Sequence, residues 1–198
     1  LDLDEDAVKA LLPKLDQAGV ESIAIGFLHG YANPAHEQRA REIIEAALPD
    51  VSITLSSEVC PEIREFERLT TATANAYVRP LIARYLNNLE TRLSKIGIVS
   101  PVLLMTSGGG LTTLETAARF PIRLVESGPA GGAILATGIA ADLDLKKAIS
   151  FDMGGTTAKI CLIDDFAAQR AREFEVDRQA RFRKGSGLPL RIPVIEMV

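Results

Sequence analysis

Tryptophan is absent from this 198-residue chain, and cysteine occurs only twice, as Cys60 and Cys161. Two cysteines this far apart, in no CxxC or metal spacing, rule out a cysteine-built metal site and read as reduced thiols of a cytosolic protein. Long hydrophobic runs are missing too: the longest weakly polar stretch, Gly128 to Ala141, is too short and too glycine-rich to span a bilayer. The first residues, Leu-Asp-Leu-Asp-Glu-Asp, are acidic where a secretory signal would be basic, and no Asn-x-Ser/Thr acceptor occurs. Basic charge is not in excess. The 22 Lys and Arg are outnumbered by 26 Asp and Glu, a net charge of −4 that argues against nucleic acid or an anionic membrane as the main partner. There is no initiating Met, and Ile192 to Val198 form a strand-like run with no cap, so the chain reads as a piece of a larger protein.

Several familiar catalytic patterns are also missing. His36-Glu37-Gln38-Arg39-Ala40 starts like HExxH but has Ala where the second zinc ligand must stand. Ser107 is in no GxSxG elbow, because Met105 holds the first glycine position. No GxxxxGK[ST] loop occurs, and Gly128-x-x-Gly131-Gly132 does not have the GxGxxG spacing of a dinucleotide fold.

What remains is a soluble α/β composition, nearly half hydrophobic and a quarter charged. Asp4 is placed to cap a helix ended by Gly19, and Ser22 to Leu28 reads as a strand buried on both faces. Asn33 as N-cap and Pro34 at the first position begin a second helix, and Val51 to Ser56 is a second strand. This alternation predicts a parallel sheet. A long helix follows from Phe66 to Leu93, bearing a polar stripe of Thr70, Thr71, Thr73 and Asn75 that suits a cleft wall or a local bend. Glu58, Glu62, Arg64, Glu65, Glu67 and Arg68 read as a solvated, ion-paired helix end. Strands are expected at Pro101 to Thr106 and Ile122 to Val125, followed by a helix so rich in Gly and Ala that it is either a hinge against which another backbone lies or a tightly packed core helix. Arg178, Arg181, Arg183, Lys184 and Arg191 give the segment before the last strand a local basic character, that of a solvated loop or of a surface for an anion. Helices cease after Asp142 to Lys147, which predicts a lobe boundary there: residues 1–145 end one lobe and 146–198 begin another.

Residues 148–164 carry the strongest chemical signal. A β run delivers Asp152, Gly154-Gly155-Thr156-Thr157 make a turn, and Ala158 to Ile163 lead away, a predicted hairpin. Glycines let backbone N–H groups approach a phosphate closely, threonines add hydroxyl donors, and an aspartate can hold a hydrated Mg²⁺ against phosphate oxygens. Taken alone, the stretch is equally an ordinary glycine hairpin whose Asp caps the turn. A third strand, about Ala171 to Val176, would extend it into a meander.

Six motifs stand in order: Leu28-His29-Gly30-Tyr31-Ala32-Asn33-Pro34-Ala35-His36-Glu37, Ser57-Glu58-Val59-Cys60-Pro61-Glu62-Ile63-Arg64-Glu65-Phe66-Glu67-Arg68, Met105-Thr106-Ser107-Gly108-Gly109-Gly110, Glu126-Ser127-Gly128-Pro129-Ala130-Gly131-Gly132, Phe151-Asp152-Met153-Gly154-Gly155-Thr156-Thr157-Ala158-Lys159, and Gly185-Ser186-Gly187-Leu188-Pro189. As an ordered set over nearly the whole chain they resemble the hydantoinase/oxoprolinase family, including the A-type subunit of N-methylhydantoinases, 5-oxoprolinase and the acetone/acetophenone carboxylases. The resemblance implies an actin-like (ribonuclease H-like) α/β ATPase fold, here the end of the first lobe and the start of the second. It implies ATP and Mg²⁺ as cofactors, a cyclic amide or ketone activated by phosphorylation, and a B-type partner subunit. It would place Asp152 on the metal as the catalytic carboxylate and Gly154, Gly155, Thr156 and Thr157 on the β- and γ-phosphates. It also implies a first phosphate hairpin before Leu1 and an adenosine loop beyond Val198, so that the isolated chain would not hydrolyse ATP. The same fold serves non-catalytic polymers and chaperone switches.

Overall fold

The computed structural model describes residues 1–155, 157–180, 183 and 185–197. In chain order the elements are α1 (Glu5–Gln17), β1 (Ser22–Ile25), α2 (Ala35–Ala47), β2 (Ser52–Leu55), the one-turn α3 (Ser56–Val59) and the long α4 (Glu65–Lys95). Then come β3 (Leu103–Met105), β4 (Leu111–Thr113), α5 (Leu114–Arg119), a 3₁₀ turn (Pro121–Leu124) and α6 (Ser127–Asp142). The last stretch is all strand: β5 (Lys147–Met153), β6 (Ala158–Asp164), β7 (Ala167–Ala168), β8 (Arg170–Ala171), β9 (Phe174–Val176), β10 (Leu188–Leu190) and β11 (Val194–Ile195). The described chain divides into two compact units, Leu1–Tyr85 with Glu175–Arg191, and Leu86–Phe174 with Ile192–Val198.

In the first unit, Asp4 caps α1 by accepting from the Ala7 amide at 2.9 Å, and acidic Glu5 and Asp6 follow at the positive end of the helix. β1 and β2 pair in parallel, Ser22 against Ser52 through Ile25 against Leu55, as the alternation requires. β1 is shorter than expected, and Ala24 is exposed, so the strand is not buried along both faces. Ile25, Ala40, Ile44, Ile53 and Leu55 form the core, with Val8, Leu12 and Phe27 packed against it. α2 starts one residue later than the sequence suggests: Pro34 occupies the cap position, and the Asn33 side chain instead accepts from the Ala35 amide at 3.1 Å.

The charged stretch 58–68 is not a solvated helix end throughout. Arg68 is 0% exposed; its Nε donates to Ser56 Oγ at 3.2 Å, Nη1 to the Glu62 carbonyl and Nη2 to the Phe27 carbonyl, both at 3.0 Å. Glu37 is 0% exposed as well. Its Oε1 accepts from Ser56 Oγ at 2.6 Å and the Phe27 amide at 3.2 Å, and its Oε2 from the Ser57 amide at 2.9 Å and Ser57 Oγ at 2.7 Å. Gly30 lies hard against this carboxylate, where any Cβ would collide with Oε1. Half of the polar stripe of α4 is interior, with Thr73 exposed and Thr70 half-buried. Thr71 and Asn75 are buried, Thr71 Oγ1 accepts from the Arg191 amide at 2.8 Å, and Asn75 Nδ2 donates to Thr54 Oγ1 at 3.1 Å.

In the second unit, β3 and β4 form a short antiparallel pair. The strand expected at Ile122 to Val125 is a 3₁₀ turn, begun by Pro121 at its first position, where a missing N–H costs nothing. α6 buries alanines rather than glycines: Ala130, Ala133 and Ala140 face inward, while a Cβ at Gly128, Gly132 or Gly138 would meet nothing within 4 Å. Ala130 and Ala133 pack with Cys161 of β6 and Ile195 of β11. β5, β6 and β7 form an antiparallel meander, its third strand at Ala167–Ala168, earlier than the expected Ala171 to Val176. Its outer face carries Ile149, Phe151, Met153 and Leu162, all exposed in this chain.

No helix among the described residues is long and apolar enough to cross a membrane. Both cysteines are buried and unpaired. Burial pushes both thiols up from the ordinary range, aided at Cys60 by the nearby Glu62 charge. A raised thiol pKa leaves less thiolate at neutral pH, and thiolate is the reactive form. Cys60 and Cys161 are therefore expected to label slowly with a disulfide reagent in the folded protein and fully after denaturation. Rapid labelling of either one under native conditions would contradict this.

Candidate active site

The predicted hairpin forms in register: Met153 faces Ala158, Asp152 faces Lys159, Phe151 faces Ile160 and Ser150 faces Cys161. The Gly154 amide donates to the Thr157 carbonyl at 3.0 Å, which closes a turn of residues 154–157. Asp152, Gly154, Gly155 and Thr157 are all exposed there, and Thr156 lies outside the described residues.

The glycine pair has a telling geometry. Neither Gly154 nor Gly155 has a positive φ, so the turn's backbone does not demand glycine. A Cβ built on either would meet no described neighbour within 4 Å, so packing does not demand it either. The missing Cβ at Gly155 leaves its amide, which has no partner among the described residues, open to approach from outside, whereas the Gly154 amide is held by the Thr157 carbonyl. The space beside Gly155 is open, and its backbone N–H is the kind of donor a phosphate oxygen accepts from.

Strand alternation puts Asp152 and Lys159 on one face of the hairpin, the face on which Cys161 packs against α6. The start of α6 stands beside them. Glu126 precedes the helix in a left-handed conformation (φ 60°, ψ 20°). For a non-glycine residue this costs about 1–3 kcal/mol and persists only where the surroundings impose it. The carboxylate of Glu126 accepts an ion-paired hydrogen bond from Lys159 Nζ. Among the described residues no side chain caps α6, and Pro129 has no N–H, so the amides of Ser127 and Gly128 are the first-turn donors left without a described partner. Sequence reasoning named Asp152 and the turn but not Glu126 or Lys159. The alternation two residues beyond Thr157 was the available signal for Lys159.

Other candidates resolve into structure. Ser107 is buried, its hydroxyl donates to the Pro193 carbonyl at 2.9 Å, and its own carbonyl accepts from the Ile195 amide at 2.8 Å. Ser107 thus ties β11 to the segment after β3. His29 donates its amide to Glu65 at 3.3 Å, and His36 packs edge-on against Phe27. Among the described residues no group of three or more His, Cys, Asp or Glu is placed to hold a metal ion, and Asp152 offers a single carboxylate. Of the basic residues in the 178–191 segment, Arg178 and Arg191 pair with Glu175 and Glu62, while Arg181 and Lys184 lie outside the described residues.

Residues 68–198 match the family model for hydantoinase/oxoprolinase, and residues 1–48 match the model for the N-terminal region of the same family. The caprolactamase subunit alpha of Pseudomonas jessenii is 34% identical over 160 residues, which cover 81% of this chain and 23% of that protein. The crystal structure of that ATP-dependent caprolactamase superposes on the whole chain with a TM-score of 0.82, at 30% identity and over 27% of its own chain. The 5-oxoprolinase of Saccharomyces cerevisiae is 37% identical over 164 residues, 82% of this chain and 12% of the enzyme. The nucleotide-free structure of acetone carboxylase, an ATP-dependent system, superposes on 99% of this chain and 27% of its own at a TM-score of 0.81 and 25% identity. The chain thus spans less than a third of the length of these relatives.

Proposed function

The chain belongs to the hydantoinase/oxoprolinase family, and on that premise we propose that the protein containing it is an ATP-dependent hydrolase of cyclic amides that activates its substrate by phosphorylation. The observation that carries this reading is the outward-opening Gly154-Gly155 turn beside an exposed Asp152. In this proposal the chain supplies the end of one lobe (1–145) and the start of the next (146–198) of an actin-like fold. The exposed apolar face of Ile149, Phe151, Met153 and Leu162 suits a sheet that a further layer of a longer protein covers.

Gly154 and Gly155, with Thr157 and Thr156, would hold the β- and γ-phosphates, the Gly154 amide giving up its bond to the Thr157 carbonyl to do so, and Asp152 would take a hydrated Mg²⁺ against them. Bound ATP supplies a phosphoryl group that turns an amide oxygen into a good leaving group. The residues of this chain bind and orient the phosphates and keep the metal in place. A B-type subunit is the proposed partner, and a soluble cytoplasmic setting goes with the reduced cysteines. A ketone-carboxylating A-type subunit is the second reading, supported by the likeness to acetone carboxylase. The cyclic-amide reading is preferred because identity is higher to the caprolactamase structure, 30% against 25%.

The test uses the full-length protein with its partner subunit. ATP consumption is measured with hydantoin, N-methylhydantoin, 5-oxoproline and caprolactam, and separately with acetone plus bicarbonate. Stimulation by a cyclic amide is the expected result, and stimulation by acetone alone would move the assignment to the carboxylase. Asp152→Ala should lower the stimulated rate about tenfold or more through loss of metal positioning. A rate unchanged in that variant would remove Asp152 from the site.

A further inference from the structure

The charges around the turn do not suit the ligand proposed for it. Asp152 and Glu126 are carboxylates, and among the described residues Lys159 is the ammonium that stands between them. Lys159 is already committed to Glu126, while among the described residues no ion pair engages the exposed Asp152 carboxylate. The three groups therefore sum to one negative charge at a place meant for polyphosphate. An anion entering such a site must bring a cation or recruit the lysine.

The geometry permits recruitment. Lys159 stands two residues from Thr157, about 7 Å along the strand, and a flexible four-carbon stem spans most of that distance. Its pair with Glu126 is partly solvated, with side chains 22% and 29% exposed, and such pairs are weak enough to exchange. Glu126 reaches Lys159 from the start of α6, while Asp152 faces the same lysine across the β5–β6 pair.

Resting on the nucleotide reading above, we propose that Lys159 is a cation held in reserve: Glu126 keeps it while the turn is empty, and it transfers to the terminal phosphates when nucleotide binds. Its departure leaves Glu126 and Asp152 as two carboxylates facing the phosphates' metal. Glu126 thus acts as a restraint on metal-free binding and as a contributor to metal-dependent binding. A structural ion pair that merely staples α6 to β6 would behave differently, because removing either partner would weaken the same contact.

The experiment measures ATP affinity of the full-length protein by calorimetry, with Mg²⁺ and with chelator, together with the melting temperature. Lys159→Met should weaken ATP binding about tenfold or more under both conditions. Glu126→Gln frees the lysine and should tighten chelator-condition binding about fivefold while reducing the gain from Mg²⁺. Opposite signs for the two variants support the exchange. Equal weakening by both, with wild-type ATP binding intact, overturns the lysine's role and leaves the nucleotide reading standing. Absence of ATP binding in the wild type overturns both. If Glu126→Gln does not fold, Lys159→Arg and Lys159→Met carry the test. Arginine should keep affinity within about threefold and methionine should lose it at an unchanged melting temperature, and equal affinity in the two overturns the proposal.

Discussion

Glu37→Gln is expected to destabilise the protein by about 3 kcal/mol, although the substitution changes one oxygen for one nitrogen and almost no volume. The reason is the direction of every bond at this side chain. Oε1 faces the Phe27 amide and the Ser56 hydroxyl, and Oε2 faces the Ser57 amide and the Ser57 hydroxyl, all donating inward. Whichever way a glutamine amide turns, its NH₂ must face one backbone N–H that cannot rotate away. Water cannot repair the mismatch, because Glu37 is completely buried. Ser56 Oγ also accepts from Arg68, so Arg68→Met should cost a comparable amount by stranding the Phe27 and Glu62 carbonyls. The double variant should lose less than the sum of the two, since both break through Ser56. Denaturant unfolding of the full-length protein reads these losses as shifts in midpoint at constant slope. A shift for Glu37→Gln equivalent to less than about 1 kcal/mol would show that the network does not bear on stability.

This network also marks where the sequence could not be read. Glu37 looked like half of a metal motif and Arg68 like one charge among six on a solvated helix end. Their burial depends on partners 10 to 41 residues away: the Phe27 amide and carbonyl, and Ser56 and Ser57 at the β2–α3 junction. No local period reports such contacts. The hairpin at 147–164 was legible because its signal is local, two β runs around a glycine turn, and the register followed. The run Ile122 to Val125 was misread for the opposite reason. Three apolar residues around Arg123 are too few to carry a period, and Pro121 decided the outcome by opening a 3₁₀ turn. The polar stripe on α4 reads from sequence as a cleft wall or a local bend. Thr70 and Thr71 do donate to the carbonyls four residues back, while Thr71 and Asn75 are buried because they also find partners in the Arg191 amide and Thr54. At the candidate site the turn residues and Asp152 were readable, whereas Glu126 joins them only because α6 ends its N-terminal side against β6.

Gly154→Ala and Gly155→Ala should separate stability from function most sharply. In the folded chain both positions have backbone angles open to alanine and no described neighbour within 4 Å of a new Cβ. Replacing such a glycine restricts the unfolded chain, so stability should stay level or rise by about 0.4–1 kcal/mol. ATP-dependent turnover should nevertheless fall about 100-fold. A methyl group beside the turn amides pushes a phosphate oxygen back by about an ångström, and misplacement on that scale costs about two orders of magnitude. The loss should appear in nucleotide affinity as well as in rate, because the amides are proposed to bind the phosphates in the ground state. An ordinary hairpin predicts the reverse pattern: full activity, with any change confined to stability. Measuring melting temperature, ATP affinity and cyclic-amide-stimulated ATP consumption on the same variants decides between them. Wild-type turnover in Gly155→Ala would return the turn to the status of a glycine hairpin. A silent melting curve with lost nucleotide binding would leave phosphate approach as the reason glycine stands at both positions.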